Sequence, residues 1–270
     1  MVERVPSSDE TVESLIGPDD PAAFEAVNAD GGAALQLVCD HASRVVPASL
    51  AGLGLDDDQF DRHIAYDIGA ADVTRLLAQT LDAQAVLAGY SRLVIDVNRP
   101  PGHPESIPQV SDHTPIPGNQ GLGEEEHNRR VAEFFEPYHD AIMEDLGHLW
   151  RRGKPPALFS IHSFSPEFGD AVRPWDVGVL WNHDPRIAMP LIDTLAAKGL
   201  KVGDNLPYSG RDLAYTINLH GGAAGLANCA VEINQNQVRD AVGIERWAGI
   251  LTEVMAEILD TDDIHRVQEY

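Results

Sequence analysis

Four short stretches of the chain close an apolar run with side chains that can do chemistry. CDHAS supplies Asp40, His41 and Ser43; VIDVNRP supplies Asp96, Asn98 and Arg99; SIHS supplies His162 and Ser163; VEIN supplies Glu232. Charged groups at the end of a buried strand are unfavourable unless they meet a partner. In open α/β sheets the carboxyl ends of the strands are where ligands bind. Two histidines and a carboxylate form a ligand set for Zn²⁺ or another divalent metal, with one position left for water. A further carboxylate beside that water is a general base, and an arginine offers a planar fork for a substrate carboxylate. The combination reads as metal-assisted hydrolysis of an amide that bears a nearby carboxylate. No HExxH helix and no GxSxG turn occurs, so the commoner zinc-peptidase and serine-hydrolase routes lack a basis. Taken singly, each residue has a plainer reading: a histidine after a strand usually makes a structural hydrogen bond, and a lone glutamate can face water at an edge. Four such ends in one sheet argue for convergence.

The elements that must position these groups follow from apolar spacing. ALQLVCD (34–40), AQAVLAG (83–89), SRLVIDV (91–97), PALFSIHSFSP (156–166), WDVGVLWNHD (175–184) and ANCAVEINQ (227–235) predict strands. Helical spacing predicts helices over 56–81, 124–153 (with Pro137 kinking or dividing it), 185–199 and 237–260. Residues 99–121 are rich in proline, glycine and histidine and predict a long functional loop or lid. Residues 1–30 are acidic and irregular, an expected N-terminal extension with a short helical piece around Phe24, and 31–270 form one domain. Interleaved strands and helices give an α/β class: a three-layer α/β/α arrangement with a mixed, mostly parallel central sheet. There is no internal repeat.

The formal charge, with histidine neutral, is 19 − 43 = −24. That excess disfavours nucleic acid and anionic membranes as partners, since neither phosphate-rich surface finds a basic stripe. An acidic protein that binds an acidic small molecule must focus its few arginines in the site. Cys39 and Cys229 lie in apolar runs and are expected to be reduced core residues. Without a leader-like segment or an 18-residue apolar run, the expected location is the cytoplasm.

In order along the chain, CDHASRVVP, HIAYDIGA, SRLVIDVNRP, SDHTPIPGN, SIHSFSP, NLPYSG and VEINQ resemble the N-formylglutamate amidohydrolase family over roughly residues 34–240. That family is similar in turn to the zinc carboxypeptidases and to the aspartoacylase/succinylglutamate desuccinylase group. The resemblance implies a zinc-carboxypeptidase-like (phosphorylase/hydrolase-like) fold. The activity it implies is zinc-dependent cleavage of the N-formyl amide of an acidic amino acid, giving formate and L-glutamate. It also implies roles: His41, Asp67 and His162 as metal ligands, Glu232 as general base, Arg92 at the oxyanion, and Asn98 and Arg99 as the clamp for the substrate carboxylate. Tyr208 either touches substrate or caps a turn.

Two positions depart from the pattern. Arg44 stands where the carboxypeptidases place a ligating glutamate, so the carboxylate ligand falls to Asp67, with His220 as the alternative ligand. Asn234 stands where the family often has arginine, which leaves the native acyl group and amino acid open. His63, His103, His113 and His183 are expected in structural or loop roles. Alternatives are removal of a larger acyl group, cleavage of a short peptide, or non-catalytic binding of carboxylated metabolites.

Overall fold

The computed structural model describes residues 13–169 and 171–270. Five of the six apolar runs become strands buried along their whole length, and two short, partly exposed strands join them at the edges. β1 (Phe24–Val27), β2 (Leu35–Cys39), β3 (Gln84–Ala88), β4 (Ala157–Phe164), β5 (Val177–Leu180), β6 (Val202–Asp204) and β7 (Asn228–Asn234) form one sheet in the order β1-β3-β2-β4-β7-β5-β6. The four central strands β3, β2, β4 and β7 are parallel; β1 pairs antiparallel with β3, and β5 antiparallel with β7. Phe24 thus lies in an edge strand, and no helical piece forms there.

Alternation along the strands separates two cores. Leu35, Leu37, Phe159, Ile161, Val231 and Ile233 pack with α1 (Ala70–Thr80), while Val38, Leu158 and Ala230 face the opposite layer. Six further helices follow: α2 (Glu124–Arg130), α3 (Glu136–Arg151), α4 (Ala188–Ala197), α5 (Gly210–Leu213), α6 (Tyr215–His220) and α7 (Ala241–Leu259). α4 and α7 join α1 on the first face; α3 and α6 cover the second. The sheet is therefore covered on both sides, as near-continuous apolar strands require. No helix among the described residues is long and apolar enough to cross a membrane.

The segment 91–97 is not a strand. It is a buried chain of turns, with the Val94 amide donating to the Ser91 carbonyl and the Asp96 amide to the Ser106 carbonyl. Leu93, Val94, Ile95 and Val97 are apolar because they fill the layer between the sheet and Phe134 and Tyr138, and burial in coil looks like burial in a strand when read from the sequence. The helix expected over 56–81 is likewise shorter. A single 3-10 turn at Asp57–Asp61 precedes an irregular stretch, and α1 starts only at Ala70. The long helix at 124–153 is divided by a π-type turn at Val131–Phe135, so that Pro137 falls in the first turn of α3, where its missing N–H breaks no bond.

Loop 99–121 is tied down rather than loose. The Asn119 amide donates to the carbonyls of Leu93 and Pro108, and the fully buried Arg130 guanidinium donates to Val94 O and Asn119 Oδ1. From this anchored loop projects a small hairpin, Val110–Ser111 with Thr114–Pro115, held by Arg62 through Asp112 and Thr114.

Candidate active site

The polar residues interrupt one face of the sheet. Following parity, Asp40 continues the side of Val38, His162 that of Leu158 and Ser160, and Glu232 that of Ala230; Glu232 and His162 are direct partners in the β4–β7 register. All three lie on adjacent parallel strands or just beyond them, on the face away from α1, α4 and α7. Asp67 arrives from the irregular stretch before α1, where its amide donates to the His41 carbonyl at 2.9 Å. Gly69 makes this approach possible. It sits at φ +78°, and a Cβ there would lie 2.3 Å from the Val238 carbonyl oxygen.

These groups form a buried chain of alternating carboxylates and imidazoles. Asp67 Oδ2 lies 3.3 Å from His41 Nδ1 and 2.8 Å from His162 Nδ1. On the far side of each ring, His41 Nε2 meets Asp96 Oδ1 at 2.8 Å and His162 Nε2 meets Asp40 Oδ2 at 2.9 Å. Asp40 also accepts from Tyr138 (2.8 Å), Ser160 (3.2 Å) and Thr216 (2.6 Å), and Asp96 from Arg92 (2.8 Å) and the Asn98 amide (2.9 Å). Burial alone would push the carboxyl groups up and the imidazoles down. The imidazoles instead hold Asp40 and Asp67 below the usual carboxylate range, and Arg92 with His41 does the same for Asp96. The same contacts raise His41, and raise His162 well above its ordinary value.

His41, Asp67 and His162 each offer one ligand atom, and these atoms lie within 4.8 Å of one another, so the group could hold a metal ion. The donor set fits a divalent ion of the zinc type. The two Nδ1 atoms and one carboxylate oxygen converge, and each ring's Nε2–H is fixed by an outer carboxylate, the arrangement that orients ligating histidines and strengthens their basicity. His220, the alternative ligand, is engaged elsewhere, its Nε2 2.8 Å from His139 Nδ1. Arg44 is an exposed partner of Asp61.

Glu232 differs in kind. It is buried, its Oε2 has no hydrogen-bond partner among the described residues, and burial pushes its carboxyl up to about 7. With His41, Asp67 and His162 it lines a chamber of about 130 Å³, also walled by Arg92, Asn98, Arg99 and Tyr208. Asn98 is anchored at both ends of its amide: Oδ1 accepts from Thr216 N and Nδ2 donates to Leu213 O. Arg99 Nη1 donates to the carbonyls of Asn98 and Leu213. The Tyr208 ring is fixed by the Arg173 guanidinium, 4.9 Å from its centroid. Asp40 and Asp96 were visible in the sequence as strand-end acids, but without roles; only their contacts to the outer ring nitrogens assign them.

The sequence model of the N-formylglutamate amidohydrolase family matches residues 33–238. The chain belongs to this family. A curated N-formylglutamate deformylase of Pseudomonas aeruginosa is 29% identical over 160 residues, covering 54% of this chain and 51% of that protein, so the match spans about half of the relative's length. Among solved structures, a gene product of Agrobacterium tumefaciens superposes with a TM-score of 0.88 at 33% identity, covering 91% of this chain and 98% of its own. The N-formylglutamate amidohydrolase of Ralstonia eutropha shares the fold at a TM-score of 0.64 and 18% identity, covering 89% of this chain and 98% of its own. For an N-formylglutamate amidohydrolase family chain, the α/β sheet with helices on both faces is thus the expected frame.

Proposed function

We propose that the chain is a metal-dependent amidohydrolase that cleaves the N-formyl amide of a carboxylate-bearing amino acid, with N-formyl-L-glutamate as reference substrate and formate and L-glutamate as products. One observation carries this reading. A buried, proton-accepting Glu232 with an unpartnered Oε2 shares one chamber with the convergent donor atoms of His41, Asp67 and His162. A zinc or other divalent ion held by those three residues supplies Lewis acidity to the amide carbonyl and to water.

The chain's own residues do the rest. Glu232 takes a proton from the attacking water and returns one to the departing amine nitrogen, a task suited to a carboxyl raised to about 7. Arg92, fixed by Asp96, faces the chamber with positive charge that stabilises the developing oxyanion. Arg99 grips the α-carboxylate, with the anchored Asn98 amide beside it, and Tyr208 offers its phenol to the substrate.

The test is release of formate from N-formyl-L-glutamate by purified protein, before and after a chelator and again after Zn²⁺ is restored. Activity lost to the chelator and regained with metal is expected. No formate with any divalent ion would overturn the reading.

A further inference from the structure

The reference substrate carries two carboxylates, and Arg99 is the assigned partner of one of them. The chamber adjoins a second, larger cavity of about 430 Å³, and the two share His63, Arg92, Arg99, Ser165 and Tyr208 in their walls. That volume is within the range of ordinary ligand pockets. A substrate gripped by Arg99 at this junction therefore has the outer space for its side chain, and the second carboxylate needs a cation there.

Most charges around the outer space already have partners. Arg92 is bound to Asp96, and Arg62 neutralises Asp112 at 2.9 Å, with His63 3.7 Å from the same carboxylate. The exposed Glu105 reaches Arg99 Nε only at 3.6 Å. Arg173 is different. It follows a hairpin formed by Glu167–Phe168 and Ala171–Val172, and its Nη1 donates to the carbonyl and hydroxyl oxygens of Ser165, both at 3.3 Å. Its guanidinium lies 4.9 Å from the Tyr208 ring centroid, 5.0 Å from that of Phe168 and 5.9 Å from that of Phe164. Phe164, Ser165 and Tyr208 wall the inner chamber; Ser165, Phe168 and Tyr208 wall the outer one. Arg173 thus backs the stretch of wall that the two spaces share. No carboxylate among the described residues forms an ion pair with it, in a chain that has 43 acidic side chains and 19 lysines and arginines. A guanidinium partly dried by aromatic rings gains more from an anion than one in open water.

We infer that Arg173 is the specificity-determining residue for the side-chain carboxylate of the substrate, which it draws against the wall made by Ser165, Phe168 and Tyr208. The inference rests on the amidohydrolase reading, because that reading assigns Arg99 to the α-carboxylate and leaves the second one to be met. The planar fork of Arg173 matches a carboxylate in a way that a side-chain amide cannot exploit, since only the carboxylate adds an opposite charge. Glutamate and glutamine side chains have nearly the same shape, so the pair isolates this charge from the fit of the cavity.

The experiment measures kcat/KM of the zinc-loaded full chain for N-formyl-L-glutamate and N-formyl-L-glutamine, in the wild type, Arg173→Gln and Arg173→Lys. The wild type should prefer glutamate by about ten- to a hundredfold, the worth of hydrogen bonds to a charged group. In Arg173→Gln the glutamate-to-glutamine ratio should fall about tenfold or more. Arg173→Lys keeps a cation without the planar fork, and its ratio should lie between the other two. A role confined to bracing Tyr208 and Phe168 would lower both substrates together and leave the ratio as it was. An unchanged ratio in Arg173→Gln, or a wild type that does not distinguish the two substrates, overturns the assignment while leaving the amidohydrolase reading intact. Should Arg173→Gln fail to fold, Arg173→Lys carries the same test, and an unchanged ratio there overturns it equally. Failure of the wild type to cleave either substrate overturns both.

Discussion

Asp67 and Glu232 line the same chamber and are both nearly excluded from solvent, at 4% and 8% exposure, yet their surroundings drive them in opposite directions. Asp67 accepts from two imidazoles and the Ser163 amide, and its carboxyl is held below the ordinary range against the opposing effect of burial. Glu232 keeps one oxygen without a partner, and desolvation dominates. Burial by itself therefore says little about what a carboxylate does. A saturated one is fixed as an anion and suits a cation; a starved one is poised to exchange a proton near neutrality. Two titratable groups whose environments push them apart mark a division of labour between acid–base and electrostatic roles.

The sharpest break of this contrast is on the saturated side. His162→Ala removes one proposed ligand and leaves Asp40 and Asp67 without their shared imidazole. Metal affinity should fall by well over the ~10–100-fold typical of losing an outer partner, and activity should vanish with it. Elemental analysis of the purified variant checks this, and full metal occupancy would remove His162 from the ligand set.

On the starved side, Glu232→Gln should lower kcat by about 10²–10⁴-fold while metal content stays unchanged. The same variant should gain stability in metal-free protein. A carboxyl raised from 4.5 to about 7 binds its proton more tightly when folded, so its stabilising contribution is full below pH 4.5 and is lost as pH rises through 7. The neutral amide escapes that loss, worth about 3 kcal/mol at most by pH 8 at roughly 1.4 kcal/mol per unit. Denaturant titration of both proteins at pH 4 and pH 8 reads it; an equal difference at the two pH values would argue against a desolvated Glu232. In the active protein kcat/KM should climb with pH through the ionisation of this base, a limb that disappears in Glu232→Gln.

A smaller effect belongs to the substrate side. Arg99→Lys keeps the charge and loses the planar fork, so kcat/KM should drop about ten- to a hundredfold, the worth of about 1.5–3 kcal/mol for hydrogen bonds to a charged group. An amide lacking the carboxylate should lose little further. Equal losses on both substrates with a lowered Tm would mean that Arg99 serves the fold alone, through its bonds to Asn98 and Leu213.

The mildest effect on metal binding belongs to Asp96→Asn, which leaves His41 in place and weakens the group that orients it, together with the anchor of Arg92. Metal affinity should fall about tenfold. An unchanged dissociation constant by competition with a chelating dye would show that the outer carboxylate does not tune the ligand.

Much of the frame was legible from the sequence. Continuous apolar runs marked β2, β3, β4 and β7, and polar residues breaking those runs marked His41, His162 and Glu232. The rest was hidden for physical reasons. SRLVIDV reads as a strand because dense burial, whether in coil or sheet, selects the same residue types. The edge strands β1 and β6 are short and partly exposed, so they carry little apolar signal. Residues 210–220 carry no helical signal in the sequence, because α5 and α6 are each too short for a helical period to show. The outer carboxylates Asp40 and Asp96 could be noticed but not assigned, because their meaning lies in which ring nitrogen each meets.

The pairing of β2 with β4 and of β4 with β7 has a consequence for how the protein comes into being. The proposed ligands His41 and His162 and the proposed base Glu232 sit on or just beyond strands drawn from residues 35–39, 157–164 and 228–234, which are joined by contacts between distant parts of the chain. Such parallel pairings form late, since long loops must close before they are rewarded. During synthesis, His41 and Asp67 leave the ribosome long before His162, and Glu232 emerges later still. With the proposed ligand set, a growing chain therefore carries two isolated donors with little hold on an ion, and metal uptake would be a property of the finished fold.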